Sequence, residues 1–393
     1  MSGKRLLILT ERFFPEEFLI NDLAQAWQAR GWAVEVLTQV PSYPHDKLYD
    51  GYRNVLFQTT HELHFPVHRV RTLLGYNTSV FRKVLNYISF AFLTSLWALF
   101  NGWRYQKVFI YHTGPLTMAT ASLPLRFLYR KPVTIWTQDL WPDAVYAYGF
   151  KPSRWKRILL DLFIKLIYAA CNVITVSSPG FINKLRVYTQ RTIHFVPQWT
   201  TQTTSPSPPR SSTSKRIFTF AGNLGTAQNL EMLIDVFGTL NPPNGELHIV
   251  GGGVNLLPLR ARISQKGYKH IFLPGRRPQA EMPALFAQSD ILIISLSKAF
   301  SITLPAKFQA YIAAQRPLLG ILEGDTATLI RQHHLGIACA PEADAITQAF
   351  KTLLSVSDEQ LKQWGDNALA LSNAAFNRSD LITRFETLLN GSV

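Results

Sequence analysis

Residues 220–234 read FAGNLGTAQNLEMLI, and the interpretation of the second half of the chain starts from this stretch. An apolar strand ends at Ala221, a Gly-Asn-Leu-Gly turn follows, and a helical pattern begins at Asn229. Backbone N–H groups in such a turn can approach a phosphate, and the dipole of the following helix favours its negative charge. Taken alone, the turn is equally typical of an ordinary strand–helix connection.

Two later segments strengthen the phosphate interpretation. The first is HIVGGG at 248–253, a strand that runs into three glycines. The second is SITLPAKFQAYIAAQRPLLGI at 301–321, in which Pro305 precedes Lys307 at the entry to an apolar helix. A lone cation at that point can neutralise a diphosphate, although by itself it is equally typical of a surface lysine. The three segments in this order indicate a nucleotide site more specifically than any one of them.

Short β-branched and aromatic runs alternate with helical patterns in both halves of the chain. They lie at 6–9, 33–38, 108–111, 133–136 and 173–176, and again at 217–220, 247–250, 271–273, 291–294, 317–321 and 337–340. Near-continuous apolar strands separated by helices predict parallel sheets covered on both faces. The fold class is therefore α/β, with two Rossmann-like domains that face each other across a cleft.

The domain boundaries follow from composition. We expect an N-terminal domain over 1–199, a Ser/Thr/Pro-rich linker over 200–214 and a C-terminal domain over 215–375. A final helix over 376–393 is expected to pack back on the first domain. Because ligands of open α/β sheets bind outside the carboxyl ends of the strands, each domain would present one substrate to the cleft.

Composition excludes several classes of protein. The 393 residues are 47% hydrophobic and 17% charged, which is globular and excludes a disordered chain, a collagen and a coiled coil. Two cysteines, Cys171 and Cys339, cannot build a disulfide scaffold or a four-ligand zinc site. The short apolar run near the start reads as a first strand and not as a signal peptide, so we expect a cytoplasmic protein.

The positive charge is concentrated in the first half. Residues 1–199 hold 23 Lys+Arg against 11 Asp+Glu, whereas residues 200–393 hold 17 against 14, which together give the net charge of +15. This asymmetry indicates an anionic partner or, more simply, a solvated basic face. Cations interleave with aromatic residues near 126–131 and 151–165, which favours a membrane interface. No nucleic-acid-binding motif is recognisable, so no nucleic-acid partner is expected.

A stretch of 20 residues without charge, VLNYISFAFLTSLWALFNGW at 84–103, is flanked by Lys83 and Arg104. Its length would allow it to cross a membrane. Its five Asn, Ser and Thr residues, and the strand that follows at once, favour instead a core helix or a helix in the membrane interface. A true span stays open as the alternative.

The segments quoted above, together with others, give the chain a resemblance to a known family. It resembles family-4 glycosyltransferases of GT-B architecture over essentially its whole length, and is similar above all to bacterial enzymes of exopolysaccharide, capsule and lipopolysaccharide O-antigen assembly. The similarity is carried by the segments 11–38, 41–52, 137–145, 174–181, 195–199, 222–234, 250–253, 273–296, 304–320 and 322–330.

The resemblance implies an activity and its partners. Such enzymes transfer a sugar from a nucleotide diphosphate sugar with retention of configuration, generally without a metal or other cofactor. We expect a UDP-sugar as donor, a hexosyl or N-acetylhexosaminyl group in transfer, and a saccharide or lipid-linked saccharide as acceptor. The basic first half then fits peripheral association with the anionic inner face of the membrane.

The resemblance also assigns residues. The donor nucleotide would be held by Gly222, Asn223, Leu224, Gly225, Gln228, Asn229, Gly251, Gly252, Gly253, Gly275, Arg276, Pro305, Lys307, Gln309 and Asp325. The acceptor side would be lined by Phe14, Pro15, Glu16, Glu17, Asn21, Pro44 and His45. Lys307 would stabilise the leaving nucleotide, and Asp139 and His112 are the candidate polar catalytic groups. For Asp139, capping of a turn is an equally open interpretation.

The sequence departs from the family pattern at two acidic positions. Many relatives carry two glutamates where this chain has Ser301 and Gln309. The missing glutamates leave open a catalytically silent relative that binds sugar nucleotides or membranes. A nucleotide-sugar 2-epimerase is the other alternative because it shares the architecture, although such enzymes carry several acids in the cleft and this chain has few. An intact Lys307 and donor turn argue against the silent relative.

Overall fold

The computed structural model describes residues 4–44, 46–75, 78–142, 153–201 and 215–391. It divides the chain into two compact units. The first comprises Met1–Pro197 together with Ser379–Val393, and the second comprises Gln198–Arg378. Most of the linker expected at 200–214 lies outside the described residues.

The first unit is built on an eight-stranded sheet of order β3-β4-β2-β1-β5-β6-β7-β8. All strand pairs are parallel except β3 with β4. Its elements are β1 (Arg5–Thr10), α1 (Leu19–Ala29), β2 (Ala33–Gln39), β3 (Phe57–Glu62), β4 (Phe65–Val70), α2 (Val80–Asn101), β5 (Lys107–His112), β6 (Val133–Thr137), α3 (Arg154–Ala170), β7 (Val173–Val176), α4 (Gly180–Leu185) and β8 (Ile193–Phe195).

The second unit is a six-stranded parallel sheet of order β11-β10-β9-β12-β13-β14. Its elements are β9 (Arg216–Ala221), α5 (Leu230–Leu240), β10 (Gly245–Val250), α6 (Leu256–Lys266), β11 (Ile271–Gly275), α7 (Met282–Gln288), β12 (Ile291–Ser295), α8 (Ala306–Ala313), β13 (Leu318–Ile321), α9 (Asp325–Gln332), β14 (Gly336–Cys339), α10 (Ala343–Ser355) and α11 (Asp358–Ala375). The chain direction across the sheet reverses between β9 and β12, which is where such folds bind ligands.

The last helix, α12 (Arg378–Asn390), packs in the first unit and not in the second. The Phe385 ring makes edge contacts with Trp27, Phe109 and Trp136, so an aromatic cluster joins α12 to α1 and to two strands. Arg30, directly after α1, pairs with Glu386 at 2.8 Å. The cluster is buried, and its aromatic area makes it a main contribution to the core.

The hairpin of β3 and β4 is not apparent from the sequence. Residues 57–70 read FQTTHELHFPVHRV, in which Pro66, His68 and Arg69 interrupt any apolar run. The structure buries His68 and Arg69 because each finds partners: His68 contacts Glu35, and Arg69 pairs with Glu62. The strand β4 is therefore not recognisable from hydropathy, because some of its buried residues are paired polar groups and not apolar ones.

Glu35 is the centre of a polar cluster under the hairpin, and it gives a first prediction. Its Oε2 accepts from Tyr105 at 2.6 Å and lies 2.8 Å from His68 Nε2; these contacts, led by His68, lower its pKa to about 2. The folded pKa lies below the unfolded one, so the contribution to stability is complete above pH 4.5 and disappears as the pH falls towards 2. Glu35→Gln should cost about 1–2 kcal/mol at pH 7.

Denaturant titrations of wild type and Glu35→Gln between pH 7 and pH 3 test this. The stability gap should be widest at pH 7 and narrow progressively below pH 4.5. Glu281→Gln, which removes an exposed carboxylate 3.8 Å from Arg277, is the matched control and should change little. A gap independent of pH would show that lost packing, not lost charge, is responsible.

Candidate active site

The residues assigned to the donor come together at the carboxyl ends of β9, β10 and β12. Gly222 to Gly225 follow β9, Gly251 to Gly253 follow β10, and Lys307 lies in the first turn of α8 after β12. These strands flank the point where the strand order reverses. The topology therefore places three segments that are far apart in the sequence at the usual ligand position of this fold.

The two glycine loops interlock through their backbones. Gly222 N donates to Val250 O at 2.9 Å, and Leu224 N donates to Gly252 O at 2.9 Å. A Cβ on Gly251 would lie only 1.8 Å from Gly222 O, and one on Gly253 would lie 2.7 Å from Leu224 O. The close approach of the two loops thus requires glycine at 251 and 253.

Polar side chains of the first loop mainly hold its own shape. Gln228 Oε1 accepts from Gly225 N at 3.0 Å, and Ser295 donates to Gln228 O at 2.6 Å. The Asn223 side chain packs on Gly253, where a Cβ would meet its Oδ1 at 2.7 Å. Asn229 adopts a left-handed conformation with φ of 47° and precedes α5, which begins one residue later than its sequence predicts. Gln228 is therefore a positioning residue for the turn.

Lys307 places a buried ammonium group beside the glycine loops. Its Nζ is buried and has no hydrogen-bond partner among the residues that the structure describes. It lies 3.7 Å from the centroid of the Phe220 ring and 3.1 Å from where a Cβ of Gly222 would stand. Burial lowers the pKa of Lys307 to about 7. An ammonium group in this position is unfavourable without an anion and favourable with one.

The loop after β11 lies against the glycine loops. Gly251 N donates to Gly275 O at 2.9 Å, and Gly252 faces the Cβ of Arg276, at 3.6 Å from where its own Cβ would stand. Gly275 has a φ of 95°. Arg276 is exposed at the rim of the site. Gly275 and Arg276, both assigned to the donor nucleotide, thus adjoin the glycine loops.

The residues near α8 that were assigned to the donor differ in their surroundings. Pro305 directly precedes α8, while Gln309 is buried and, with its amide nitrogen turned inward, donates to Pro305 O and Ala306 O. Gly324 approaches Ser301 so closely that a Cβ would lie 2.0 Å from Ser301 O. Asp325 is the first residue of α9. The Gln309 amide nitrogen is therefore engaged by the start of its own helix.

In the first unit, Asp139 and His112 meet at the turn after β5. Asp139 Oδ2 accepts from Gly114 N at 2.7 Å, and His112 Nε2 lies 3.1 Å from Gly114 O. Burial lowers the pKa of His112 to about 4, so its imidazole is neutral at pH 7. Part of the Asp139 residue is exposed to solvent. Protein atoms around its carboxyl group remove water from it, and this desolvation raises the pKa of Asp139. Asp139 is therefore open to a partner on one side, whereas His112 is buried.

The loop after β1 uses two of the predicted acceptor residues for its own structure. Glu16 is buried, and its Oε1 accepts from Ser42 N at 2.9 Å and from Tyr43 N at 2.7 Å. Asn21 donates to Glu16 O at 2.7 Å and accepts from Phe14 N at 3.1 Å. These contacts make Glu16 and Asn21 positioning residues.

The other predicted acceptor residues that the structure describes are at least partly accessible. Phe14 and Glu17 are exposed on the loop after β1. Pro15 and Pro44 follow cis peptide bonds. His45 lies outside the described residues.

Comparison with known proteins identifies the family. Residues 19–199 match the model of the glycosyl transferase 4-like domain, and residues 201–370 match that of glycosyl transferases group 1. The two matches follow each other and together cover most of the chain. The chain belongs to the family-4 glycosyltransferases of GT-B fold.

Individual relatives of this glycosyltransferase are distant. It is 23% identical over 254 residues to the probable glycosyltransferase WbjE of Pseudomonas aeruginosa, and the match spans 61% of the chain and 63% of that relative. Sucrose-phosphate synthase from Thermosynechococcus elongatus superposes with a TM-score of 0.74 at 15% identity, over 99% of both chains. Anabaena HepE in complex with UDP and glucose gives 0.71 at 14% identity, over 99% and 100%. At these identities the structural matches establish the fold alone.

Three residues of the glycosyltransferase that shape the sites went unnoticed in the sequence. Tyr311 is buried, and its hydroxyl donates to Ala221 O and accepts from Ala221 N, which fixes the end of β9. The Ser295 hydroxyl donates to Gln228 O. In the first unit, Glu11 Oε2 lies 3.5 Å from where a Cβ of Gly114 would stand. Burial raises the pKa of Glu11. A position at the end of a strand was the available signal for Ser295 and Glu11.

Metal ligation finds no support in the part of this glycosyltransferase that the structure describes. No group of three or more His, Cys, Asp or Glu side chains there could hold a metal ion. Of the two cysteines, Cys171 is buried and Cys339 half-buried, and both are free.

Proposed function

We propose that the protein transfers a hexosyl or N-acetylhexosaminyl group from a nucleotide diphosphate sugar to a saccharide acceptor, with retention of configuration. The observation that carries this proposal is the buried Lys307 ammonium, which lies beside the glycine loops and lacks an anionic partner among the described residues. A diphosphate is the group that such a site fits, because it brings negative charge to the buried ammonium.

The chemistry then follows from the leaving group. As the bond between the anomeric carbon and the phosphate oxygen breaks, negative charge grows on the diphosphate, and Lys307 stabilises it. The acceptor oxygen bonds to the anomeric carbon on the face from which the phosphate leaves, and the departing phosphate oxygen takes the proton of that hydroxyl, so the configuration is retained. The glycine loops hold the diphosphate in position, and neither a protein nucleophile nor a metal is needed in this scheme. Asp139 is the candidate group for orienting the acceptor.

The nature of both substrates is part of the proposal. UDP is the preferred nucleotide, since Anabaena HepE, which shares the fold, binds UDP and glucose. A lipid-linked saccharide is the proposed acceptor, and assembly of a bacterial cell-surface polysaccharide the proposed role. A lipopolysaccharide outer core galactosyltransferase, WaaB, also shares the fold, with a TM-score of 0.64. The protein would then work from the cytoplasm at the inner face of the membrane.

Calorimetric titration with UDP and GDP tests the donor site. We expect micromolar binding of UDP, weaker binding of GDP, and uptake of protons on binding above pH 7. Free Lys307 is mostly neutral at pH 8 because its pKa is about 7, and a bound diphosphate raises that pKa. Binding at pH 8 should therefore take up about one proton, which appears as a dependence of the measured enthalpy on the ionisation enthalpy of the buffer.

At pH 6 the uptake from Lys307 should largely disappear, because the ammonium is already protonated. Lys362→Met, which removes an exposed lysine paired with Asp366, should leave both affinity and proton uptake unchanged. Absence of binding by either nucleotide would refute the donor site and favour a silent relative.

A further inference from the structure

One face of the first unit exposes apolar side chains in unusual number. On α2 these include Phe81, Ile88, Phe92 and Phe100, the last with 72% of its surface exposed. On α3 the exposed apolar residues recur at helical spacing: Trp155, Ile158, Leu159, Leu162 and Leu166. Trp103, Phe127 and Leu128 add to the same set. We call this set the α2–α3 face. Exposed apolar patches of such extent mark interaction surfaces.

The two helices lie in one layer. The connections from β4 to β5 and from β6 to β7 both run across the sheet in the same direction, and right-handed crossovers put their helices on the same side. Both helices also pack against the short helical segment Leu116–Ala121. The opposite side of the sheet carries α1 and α12, which pack on each other through Trp27 and Phe385. The apolar side chains of α2 and α3 therefore belong to one outer surface.

The inner side of α2 is fixed to the unit. Phe90, Leu93 and Ala98 are buried, and the buried Asn86 donates to Thr72 Oγ1 at 3.1 Å and Leu73 O at 2.8 Å. Tyr129 donates to Leu99 O, near the end of the helix. Val80–Arg104 is long and apolar enough to cross a membrane, with 28% of its most apolar window buried. To span a bilayer the helix would have to give up these contacts, so it is built to lie along the surface of the unit.

The charges of the segments that form the α2–α3 face are almost all positive. The segments 79–104, 124–131 and 154–170 contain the cations Arg82, Lys83, Arg104, Arg126, Arg130, Lys131, Arg154, Lys156, Arg157 and Lys165. Their single acidic residue is Asp161, which accepts from Tyr188 at 3.0 Å. The Lys156 Nζ lies 5.4 Å from the Trp155 ring centroid. Cations mixed with aromatic and aliphatic side chains are typical of a helix in the interface of an anionic membrane.

We infer that the α2–α3 face binds an anionic phospholipid bilayer, with α2 lying in the plane of the interface and not crossing it. The apolar side chains enter the boundary of the acyl chains, and the surrounding cations contact the headgroups. A second copy of the chain fits less well, because pairing two such faces would bring their cations together. The inference deepens the proposed function, since it assigns the side of the acceptor-binding unit that meets the membrane holding a lipid-linked acceptor.

Flotation with vesicles tests this inference on the full-length protein. Wild type should float with vesicles containing about 30% phosphatidylglycerol and remain largely unbound with pure phosphatidylcholine vesicles. Phe92→Ser with Phe100→Ser, and separately Leu159→Ser with Leu162→Ser, should each reduce the bound fraction at least tenfold. Lys156→Gln with Lys165→Gln should weaken binding to the anionic vesicles and flatten its dependence on salt.

Controls separate this result from the proposed function. Val187→Ser and Leu257→Ser remove exposed apolar side chains outside the α2–α3 face and should bind vesicles like wild type. Calorimetric titration with UDP should be unchanged in the face variants, so a failed donor site and a failed membrane site are distinguishable. Equal flotation of wild type and the face variants would overturn the inference. So would a dimer in light scattering that only the face variants dissociate.

Extraction distinguishes an in-plane helix from a span. Membranes that carry the protein should release it in alkaline carbonate, because only one side of α2 enters the lipid. Retention in the carbonate-washed membrane would overturn the in-plane orientation and favour a spanning helix.

Discussion

Replacing Lys307 by methionine should weaken UDP binding about 10- to 100-fold and leave the folded protein at least as stable as wild type. The ammonium is buried against Phe220 and has no hydrogen-bond partner among the residues that the structure describes, so the proposed diphosphate would be its only charged partner there. Charge-assisted contacts of this kind are worth about 1.5–3 kcal/mol, which corresponds to a loss of about 10- to 100-fold in affinity. Turnover should fall further, because charge on the leaving group grows in the transition state.

The stability effect of the same substitution has the opposite sign and depends on pH. The pKa of Lys307 in the folded protein, about 7, lies below its ordinary value of 10.5. Burial of the ammonium therefore costs stability; the cost is complete below pH 7 and fades as the pH rises towards 10.5. Lys307→Met should raise the Tm of the ligand-free protein at pH 7, by about 2–4 °C per kcal/mol recovered, and the gain should shrink at pH 9.

Thermal unfolding at both pH values, with and without UDP, measures these effects together. Lys362→Met removes an exposed ammonium and should shift neither Tm nor affinity. Unchanged affinity in Lys307→Met would exclude this lysine from the donor site. A large drop in Tm would show instead that the ammonium stabilises the fold through a partner.

How far the sequence predicts the donor site depends on which interactions define it. The glycine loops and Lys307 are recognisable because each follows a strand and carries an unusual residue type for its place. The sequence does not reveal that Gly251 touches Gly222, or that the Lys307 Nζ lies against Phe220, because these contacts join positions about 30 and 90 residues apart. Such contacts depend on the strand order, which is a tertiary property.

The residues predicted for the acceptor show more clearly what the sequence does not predict. Glu16 lies in the loop after β1 and Asn21 in the first turn of α1, where a polar residue can equally bind a substrate or hold the loop. The structure directs Glu16 to the backbone of Ser42 and Tyr43, which come from the next loop along the sheet. His112 likewise donates within its own turn and is buried. Position at the end of a strand predicts proximity to a site, but the direction of a side chain depends on partners that the local sequence does not contain.

A second prediction concerns the interlocked glycine loops. Gly251→Ala should destabilise the second unit by about 2–4 kcal/mol and lower UDP affinity at least 100-fold, because the new Cβ would stand 1.8 Å from Gly222 O. Relief of that overlap has to move backbone and not a flexible side chain. Either loop would therefore leave its present position beside Lys307, where we propose that the diphosphate binds. Denaturant unfolding and calorimetric titration with UDP measure the two effects.

The neighbouring glycine supplies a matched comparison. A Cβ on Gly252 would meet no atom closer than 3.6 Å, the Cβ of Arg276, so Gly252→Ala should change stability by no more than about 0.5 kcal/mol. Its UDP affinity then reports whether the nucleotide approaches this backbone: a loss of affinity without a loss of stability places the ligand directly over Gly252. If Gly251→Ala kept both its stability and its affinity, the two loops could not be in contact as the structure has them, and the donor site would have to be built from Lys307 and the first loop alone.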